Sequence, residues 1–353
     1  MNFNYIFMAS FGFKKDIGID LGTTNSLVYL SQKGIILNEP TLVAINNKSG
    51  QVLAIGEEAK KMIGRTPAHI DVIKPLINGV VSDFEMAQEI LRYFLKQINK
   101  NSFFNYNRIV IGIPTNLTEV ERKSVEDAAI AAGANKVFLI EEPVAAVLGA
   151  RLPIKEPLAN MIIDIGGGTT EIAVVSLDGI VTAKSLKIAG DKFNEDIIRF
   201  IRDEFKLIIG EPTAEELKIN IGSALPLDEK LEMAIRGRDL PSGLPKEIMI
   251  KNNQIRTAID DSISSIIEAV KETIEQTPPE LVGDILKQGI HLCGGGSLLK
   301  GLDQRIEKEI GVPVSVVEDP LTCVVRGTGV IAENFSLYLK NFSSPLKPID
   351  IKL

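Results

Sequence analysis

Apolar residues follow two different spacings along this chain, and the change between them predicts the order of strands and helices. Short, nearly continuous apolar runs over residues 16–37 and 162–175 are typical of strands. In five further segments apolar residues recur every three or four positions, which predicts helices over residues 83–98, 118–132, 191–201, 213–221 and 259–274. The resulting order, strands followed by helices and then the same again, predicts an α/β fold of two similar halves.

Polar residues and prolines mark the ends of several of these elements. Asp83 and Thr118 stand at N-cap positions, and Glu121 completes a capping box with Thr118. The segment Thr277-Pro278-Pro279-Glu280 starts a further helix, because proline is favoured in the first turn. Two other stretches, residues 40–76 and 229–256, interrupt the pattern. We interpret each as a small insertion into one half.

Two glycine-rich loops in the chain are near copies of each other. The first contains Asp20, Gly22, Thr23, Thr24 and Asn25, and the second contains Asp164, Gly166, Gly167, Gly168, Thr169 and Thr170. Each stands between two apolar runs, which predicts a β-hairpin with glycines near its tip. Such a tip can bring bare backbone N–H groups against an oxyanion. One copy alone is typical of an ordinary hairpin, but the repeat predicts two loops that face each other across a cleft.

The two loops carry the residue types that a polyphosphate and its metal ion require. Thr23, Thr24 and Asn25, together with residues 166–170, can donate hydrogen bonds to phosphate oxygens. Asp20 and Asp164 can hold Mg²⁺, partly through water, during hydrolysis of a phosphoanhydride. The alternative is that each Asp only caps its own turn, and the duplication favours the metal-binding interpretation.

A third glycine cluster lies near the end of the chain. Gly294, Gly295, Gly296 and Ser297 stand between a short apolar strand and a helical pattern over residues 298–302. Glycine leaves the backbone bare, so a flat ring can lie close to this loop.

Together, the three loops correspond to the two phosphate motifs and the adenosine motif of the actin-like ATPase superfamily. Within it, the chain resembles the MreB family of bacterial actins from about residue 16 to about residue 334. The resemblance also includes Ile140-Glu141-Glu142-Pro143, Ala189-Gly190-Asp191 and Thr277-Pro278-Pro279-Glu280-Leu281. It implies an actin-like (ribonuclease H-like) fold, in which two duplicated α/β domains each carry a small inserted subdomain and nucleotide binds in the cleft between them.

The resemblance also implies where the four subdomains begin and end. Subdomain IA comprises residues 12–39, 77–153 and 323–345, and subdomain IB comprises residues 40–76. Subdomain IIA comprises residues 154–190 and 258–322, and subdomain IIB comprises residues 191–257.

Further site residues follow from the same resemblance. It implies that Glu142 orients the attacking water, assisted by Thr169, and that Asp164 takes part in catalysis. From the residues alone, Glu142 equally suits the first turn of a helix that starts at Pro143. The helix of Glu215 and Lys218 is expected to contact adenosine, with an exposed ion pair as the alternative. Two positions depart from the family: Thr24, where alanine is common, and Asn220, where glutamate is frequent.

Two apolar segments are candidates for membrane contact. Phe103 and Phe104 occupy the position of an apolar loop that the MreB family inserts into the bilayer, and the alternative is packing under a helix end. Phe3, Phe7 and Phe11 stand four positions apart near the N-terminus, before two lysines. This spacing suits an interfacial anchor, although a disordered or packed tail fits as well.

Composition excludes several other classes of function. Net charge is −7 with both signs spread along the chain, which argues against a nucleic-acid-binding stripe. We interpret Cys293 and Cys323 as reduced core residues of a cytosolic protein. His69 and His291 are the only histidines, so a His-based triad or a structural zinc site has little support. No apolar stretch is long enough to span a bilayer.

The sequence therefore predicts a cytoplasmic protein, peripheral at the cell membrane, with slow ATPase activity that uses ATP and Mg²⁺. The resemblance implies that it polymerises head to tail into membrane-associated filaments and helps determine cell shape. Its expected partners are further copies of itself, the inner face of the membrane and other cell-shape proteins, without nucleic acid. The alternative is a metabolite kinase of the same superfamily. A kinase needs an Asp general base and a substrate pocket outside the ATP cleft, and the sequence offers no convincing candidate.

Overall fold

A computed structural model describes residues 15–99 and 106–341 of the chain, and its elements fall into two consecutive runs. The first run consists of β1 (Lys15–Leu21), β2 (Asn25–Leu30), β3 (Gly34–Pro40), β4 (Val43–Asn46), β5 (Val52–Ile55), α1 (Glu57–Lys60), β6 (Ile70–Ile73), β7 (Leu76–Ile77), β8 (Val80–Val81), α2 (Phe84–Asn99), β9 (Tyr106–Ile113), α3 (Glu119–Ala131), β10 (Val137–Glu141) and α4 (Glu142–Gly149). The second run consists of β11 (Asn160–Ile165), β12 (Thr170–Ser176), β13 (Gly179–Leu186), α5 (Gly190–Phe205), β14 (Leu207–Ile208), α6 (Glu211–Ile221), β15 (Glu232–Asp239), β16 (Pro245–Lys251), α7 (Asn252–Glu275), α8 (Pro279–Gln288), β17 (Ile290–Cys293), α9 (Leu302–Ile310), β18 (Val314–Val316) and α10 (Cys323–Glu333). Short 3₁₀ helices cover Gly295–Leu298, Pro320–Thr322 and Phe335–Asn341.

Each half is built on a five-stranded sheet, and the two sheets have the same topology. The strand orders are β3-β2-β1-β9-β10 and β13-β12-β11-β17-β18. In both, the first three strands in sequence form an antiparallel meander, and two further strands pair in parallel beside the first. The predicted fold class, two duplicated α/β halves, is therefore confirmed.

The two predicted metal-binding acids occupy equivalent places in the two sheets. Asp20 on β1 pairs with Leu27 on the antiparallel β2 and with Gly112 on the parallel β9. Asp164 on β11 pairs with Glu171 on β12 and with Cys293 on β17. Each Asp therefore stands near the carboxyl end of its central strand, next to a hairpin tip.

Smaller sheets accompany each half. Strands β5-β4-β6 form one three-stranded sheet, strands β14-β15-β16 form another, and β7 and β8 form a two-stranded hairpin. The two three-stranded sheets lie within residues 43–73 and 207–251, inside the segments assigned to the inserted subdomains. The subdomain boundaries themselves stay predictions.

Helices cover the sheets through the apolar stripes that the sequence pattern predicts. In the first half, Ile90, Leu91 and Phe94 of α2 are buried in a core that includes residues of β1 and β9. In the second half, α5 contributes Phe193 and Ile197 to an equivalent core with β11 and β12, and α7 contributes further apolar residues. Burying each large apolar side chain contributes about 1.5–3 kcal/mol, so these stripes fix the helices against the sheets.

The chain passes between the halves twice, and the helices at the two crossings are in backbone contact. α4 precedes the first crossing, and α10, which follows the last strand of the second sheet, returns to pack on β1 and β9. A Cβ atom at Gly149 would lie 1.8 Å from the carbonyl oxygen of Cys323, and one at Gly327 would lie 1.8 Å from that of Ala145. Only glycine permits this approach at both positions.

Several local predictions are confirmed. Asp83 Oδ1 accepts a hydrogen bond of 3.0 Å from the backbone N–H of Met86, at the start of α2. Thr118 and Glu121 form the predicted capping box at the start of α3. Cys293 and Cys323 are buried free thiols, as predicted for core residues.

Two boundaries were predicted wrongly. α7 begins at Asn252 and not at residue 259, because Ile255 extends the buried stripe of this helix by one further turn. The segment over residues 298–302 is not a single helical turn. A 3₁₀ helix ends at Leu298, and α9 begins only at Leu302, after Gly301 adopts a left-handed conformation with φ of 73°.

Candidate functional site

The tips of the two predicted hairpins face each other. A Cβ atom at Gly167 would lie 1.8 Å from Thr24 Oγ1, and one at Gly168 would lie 2.6 Å from Thr23 Oγ1. The first loop therefore rests directly on the bare backbone of the second. Glycine is required at these two positions because any side chain would force the loops apart.

The first loop is held from behind, and its foremost side chains point to solvent. Thr23 is buried, and its hydroxyl accepts a hydrogen bond of 2.9 Å from the backbone N–H of Gly79. The carbonyl of Gly22 accepts a hydrogen bond of 2.7 Å from the Thr41 hydroxyl. Thr24 and Asn25 are exposed. These contacts fix the loop backbone while the two exposed side chains stay accessible to a ligand.

The second loop is anchored to the start of α5. The backbone N–H of Gly166 donates to the carbonyl of Thr169 at 2.9 Å and closes the turn. The N–H groups of Gly190 and Asp191 donate to the carbonyls of Gly166 and Gly167 at 3.1 and 2.8 Å. A shift of this loop must therefore move the first turn of α5 with it.

The two threonines of the second loop differ in their surroundings. Thr169 is partly buried at the tip. Thr170 is fully buried, and its hydroxyl donates a hydrogen bond of 2.6 Å to the carbonyl of Ile188. The side chain of Thr170 thus braces the hairpin, and its predicted contact with phosphate stays a prediction.

Asp20 and Asp164 lie beneath the loops with strongly perturbed acidity. Loss of hydration on burial raises the pKa of Asp20 to about 7, and the charge of Asp164 adds to this shift. Burial also raises the pKa of Asp164 to about 7, with a contribution from the charge of Glu171. Acids that repel one another in a poorly hydrated place favour a bound cation. Within residues 15–99 and 106–341, no three His, Cys, Asp or Glu side chains converge as a metal cage.

Glu142 joins the same group of acids. It is the first residue of α4, directly after β10, and its Cγ lies 3.5 Å from where a Cβ of Gly112 would stand. Burial raises the pKa of Glu142 well above its ordinary value, and the charges of Glu171, Asp20 and Asp164 raise it further. Glu142 therefore lies near enough to Asp20 and Asp164 for their charges to act on it. Glu142 also occupies the helix start that the residues alone suggested.

The third glycine cluster packs against the end of β11. Gly294 has a φ of 78°, and a Cβ atom there would lie 2.3 Å from Asp164 Oδ1. A Cβ atom at Gly296 would collide with the side chain of Ile165, whereas one at Gly295 would meet only Leu321. Ser297 is buried, and its hydroxyl donates a hydrogen bond of 2.7 Å to the carbonyl of Gly294. The cluster thus lies beside Asp164, and its contact with a flat ring stays a prediction.

Glu215 and Lys218 form the ion pair that was the alternative, although only the side chain of Glu215 is substantially exposed, and the adenosine contact stays a prediction. Lys218 Nζ donates to Glu215 Oε2 at 2.6 Å and to the carbonyl of Gly190 at 3.0 Å, and its side chain is only 13% exposed. Asn194 Nδ2 donates to the same Glu215 oxygen at 2.6 Å. This network joins α6 to the start of α5, beside the second loop.

One element at this site was missed in the sequence, although its signal is present. Asn78 and Gly79 form the turn between β7 and β8 with φ of 52° and 73°. Backbone atoms of Asn78 lie about 3 Å from where a Cβ of Gly168 would stand. An Asn-Gly dipeptide between apolar residues is the standard mark of a tight hairpin turn. This turn supports both loops, since Gly79 also bonds Thr23.

Lys74 is a second missed residue, and it bridges the halves. Its Nζ lies 2.5 Å from Glu211 Oε1 and 3.3 Å from Asp191 Oδ2. Burial lowers the pKa of Lys74, but the two carboxylates outweigh that effect and raise it overall. Glu211 is the first residue of α6 and Asp191 the second residue of α5, so this link connects the segment after β6 to two helices of the other half. No periodicity in the sequence marks such a long-range pair.

The predicted membrane-contacting residues Phe3, Phe7, Phe11, Phe103 and Phe104 lie outside the described residues. In the part of the chain that the structure describes, no helix is both long and apolar enough to cross a bilayer.

Comparison with known proteins places this site in a family. The sequence model of the MreB/Mbl protein family matches residues 14–340. The cell shape-determining protein Mbl of Bacillus subtilis is 48% identical over 322 residues, which cover 91% of this chain and 97% of Mbl. The cell shape-determining protein MreB of Escherichia coli is 46% identical over 331 residues, which cover 92% of this chain and 95% of MreB.

Solved structures agree with the sequence relatives. The crystal structure of MreB5 of Spiroplasma citri bound to ADP has a TM-score of 0.89 at 38% identity and covers 94% of this chain and 99% of its own. Its complex with AMPPNP has a TM-score of 0.88 at the same identity and covers 93% and 99%. Since the family match spans residues 14–340 and both relatives exceed 45% identity, the chain belongs to the MreB/Mbl family.

Proposed function

We propose that this protein is an actin-like cytoskeletal ATPase that hydrolyses ATP slowly in the cleft between its halves and polymerises into filaments. The observation that carries the proposal is the contact of the two hairpin tips above Asp20, Asp164 and Glu142. The MreB5 structures contain ADP and AMPPNP, and the relatives are cell shape-determining proteins. A metabolite kinase is not favoured by any of these findings.

The phosphates of ATP bind between the loops. Gly22, Thr23, Thr24 and Asn25 contact them from one side, and residues 166–170 contact them from the other. Backbone N–H groups at glycine-rich tips suit phosphate oxygens. The adenosine lies toward residues 294–297, with Glu215 and Lys218 on the facing helix α6. The network of Asn194, Glu215 and Lys218 supports this assignment, because it holds α6 beside the second loop.

Asp20 and Asp164 would hold Mg²⁺, largely through water. The residues present suit this ion. Two carboxylates with raised pKa values lie in a poorly hydrated place, and Mg²⁺ prefers a few carboxylates plus water and phosphate oxygens to a full protein cage. When bound, the ion neutralises charge on the phosphate oxygens. The bound ion would also reduce the repulsion between ionised Asp20 and Asp164.

Glu142 orients the water that attacks the γ-phosphate in line, and Thr169 assists from the second loop. A carboxylate whose pKa is raised by its neighbours is a better proton acceptor than an ordinary Glu. Its fixed place at the first residue of α4 also limits the positions that the water can occupy. Positioning of the reacting groups, together with stabilisation of charge, supplies most of the rate of phosphoryl transfer.

Subunits stack head to tail, and the filaments lie at the inner face of the cell membrane. We assign the protein to the cytoplasm with peripheral attachment through Phe103 and Phe104 or through Phe3, Phe7 and Phe11. The relatives' role in cell shape supports this assembly. Other cell-shape proteins are further partners, and nucleic acid is not.

One pair of measurements tests the proposal. Protein at several concentrations is sedimented with and without Mg-ATP, and phosphate release is followed in the same samples. We expect pelleted polymer and slow phosphate release that both require ATP. In Asp164→Ala we expect no turnover and weakened Mg²⁺-dependent nucleotide handling. A strictly monomeric protein whose use of ATP is stimulated by a small metabolite would contradict the proposal and support the kinase.

A further inference from the structure

Glu171 is a buried carboxylate to which the proposed mechanism gives no part. It lies on β12 directly opposite Asp164, and only 1% of its surface is exposed. A carboxyl group is costly to bury unless hydrogen bonds compensate it. The contacts of Glu171 therefore indicate what it does.

Those contacts come from both halves of the molecule. Oε2 accepts hydrogen bonds from the hydroxyl of Thr115 at 2.7 Å and from its backbone N–H at 3.2 Å. Oε1 accepts from the hydroxyl of Ser185, which lies on the neighbouring strand of the same sheet. Ser185 thus holds Glu171 within its own half, whereas Thr115 belongs to the other half.

Thr115 stands next to the strand end that carries Glu142. It follows β9 by two residues, and the last residue of β9, Ile113, pairs with Glu141 on the parallel β10. Glu142 comes immediately after Glu141. Because parallel strands end at the same edge of a sheet, Thr115 and Glu142 occupy neighbouring places on that edge.

The hydrogen bonds to Thr115 therefore join two catalytic groups that belong to different sheets. On one side is β11 with Asp164, the cross-strand partner of Glu171. On the other side is the edge that carries Glu142. We propose that Glu171 is a positioning residue for ATP hydrolysis, which acts through Thr115 to fix the distance between Asp164 and Glu142. This role rests on the proposed function.

The electrostatics of the site agree with this placement. The charge of Glu171 contributes to the raised pKa values of both Asp164 and Glu142, so it lies close to each. Burial raises the pKa of Glu171 itself, but the hydrogen bonds from Ser185 and Thr115 act in the opposite direction and favour its ionised form. Both effects follow from one carboxylate held at the junction of the two sheets.

A matched pair of substitutions tests the role without altering Glu171. Thr115→Val keeps the shape of the side chain but removes its hydroxyl, and Thr115→Ser restores that hydroxyl. Radiolabelled ATP with Mg²⁺ gives the affinity, and phosphate release from ATP-loaded protein gives the turnover of bound nucleotide. Pelleting in the same buffer measures how much of each variant is polymerised, so that turnover is compared at the same degree of assembly.

We expect Thr115→Val to release phosphate roughly 10-fold more slowly, since small displacements of catalytic groups lower rates steeply. Its ATP affinity and thermal stability stay close to those of the wild type. Thr115→Ser regains most of the rate, and Glu171→Gln, which keeps hydrogen-bonding capacity but loses the charge, is intermediate. Thr257→Val removes an exposed hydroxyl on α7 that donates to the carbonyl of Asn253 in its own helix, and it behaves as wild type.

Wild-type turnover in Thr115→Val would overturn the role. So would a parallel loss of affinity, stability and turnover, because that is the result of a brace with no part in positioning. If Glu171→Gln does not fold, the comparison of Thr115→Val with Thr115→Ser still tests the positioning role. A wild-type chain that binds ATP without releasing phosphate would instead refute the proposed ATPase, and the role of Glu171 with it.

Discussion

Replacing Asp164 by Asn should stabilise the nucleotide-free protein at pH 8 even though it removes hydrolysis. Asp164 is only 8% exposed, and burial together with the charge of Glu171 raises its pKa from 3.8 to about 7. At pH 8 the folded protein must keep this carboxylate ionised where ionisation is unfavourable. Asn has nearly the same shape and no charge, so the penalty disappears.

The expected gain in the free energy of unfolding follows from the pKa shift of Asp164. One pKa unit corresponds to about 1.4 kcal/mol, so a shift of about three units gives an upper limit of ~4 kcal/mol at pH 8. Since neighbouring acids share the shift, we expect an increase of about 2–4 kcal/mol in the free energy of unfolding. Between pH 4 and 7 the folded state binds more protons at this group than the unfolded state does. The stability of the wild type therefore falls as pH rises through this window, and the gain from Asp164→Asn is smaller at pH 5 than at pH 8.

Denaturant unfolding in the presence of a chelator measures this difference at the two pH values. Asp239→Asn is the matched control, because hydrogen bonds from Ser242 and Lys246 lower the pKa of Asp239 to about 2. That contribution is present above pH 4, so the control should lose the same stability at pH 5 and at pH 8. A loss of stability in Asp164→Asn that is equal at both pH values would refute the reasoning. It would mean that the fold compensates the charge of Asp164.

Three further predictions concern turnover, the link between the halves, and membranes. Glu142→Ala should still bind ATP but release phosphate roughly 10²–10⁴-fold more slowly. Lost affinity with unchanged turnover per bound ATP would mean that Glu142 has only a structural role at the start of α4. Lys74→Met should speed ATP release roughly 2–5-fold, since a partly exposed ion-pair network contributes about 0.5–1 kcal/mol. The control Lys61→Met breaks an exposed pair with a neighbour in sequence and should leave ATP release unchanged. Equal effects of the two substitutions would mean that the Lys74 ion pairs do not help to retain nucleotide. Replacing Phe103 and Phe104 by Ser should reduce co-pelleting with liposomes and leave ATPase activity intact, because burying two Phe side chains in the membrane interface contributes roughly 3–5 kcal/mol. Unchanged co-pelleting would exclude this segment as the membrane anchor.

Local chemistry was readable in the sequence wherever a single element determines it. Asp83 and Thr118 cap their helices through bonds to residues three positions away, so pattern and spacing were enough. The duplicated hairpins were predictable for the same reason, since each places its Asp and glycines within a few residues. The start of α7 was missed because the polar residues after Asn252 hid one more turn of its buried stripe.

Contacts between distant segments could not be predicted in this way. Lys74 meets Glu211 across 137 positions, and Glu171 meets Thr115 across 56. Neither pair leaves a periodic signal, because each joins residues that are far apart in sequence and belong to different halves. The glycines of the third cluster were found, but much of their requirement comes from packing on Asp164 and Ile165, which no local pattern reveals.

The glycine contact between α4 and α10 has a mechanical consequence for a polymer. Where backbone touches backbone there is no flexible side chain to absorb strain, so the backbones themselves set the packing distance at the two crossings. A methyl group at Gly149 or Gly327 would act as a wedge and reset the resting angle between the halves. In a stack of identical subunits such an angular change repeats with the same sign, so it would accumulate into a changed twist or curvature along the whole fibre.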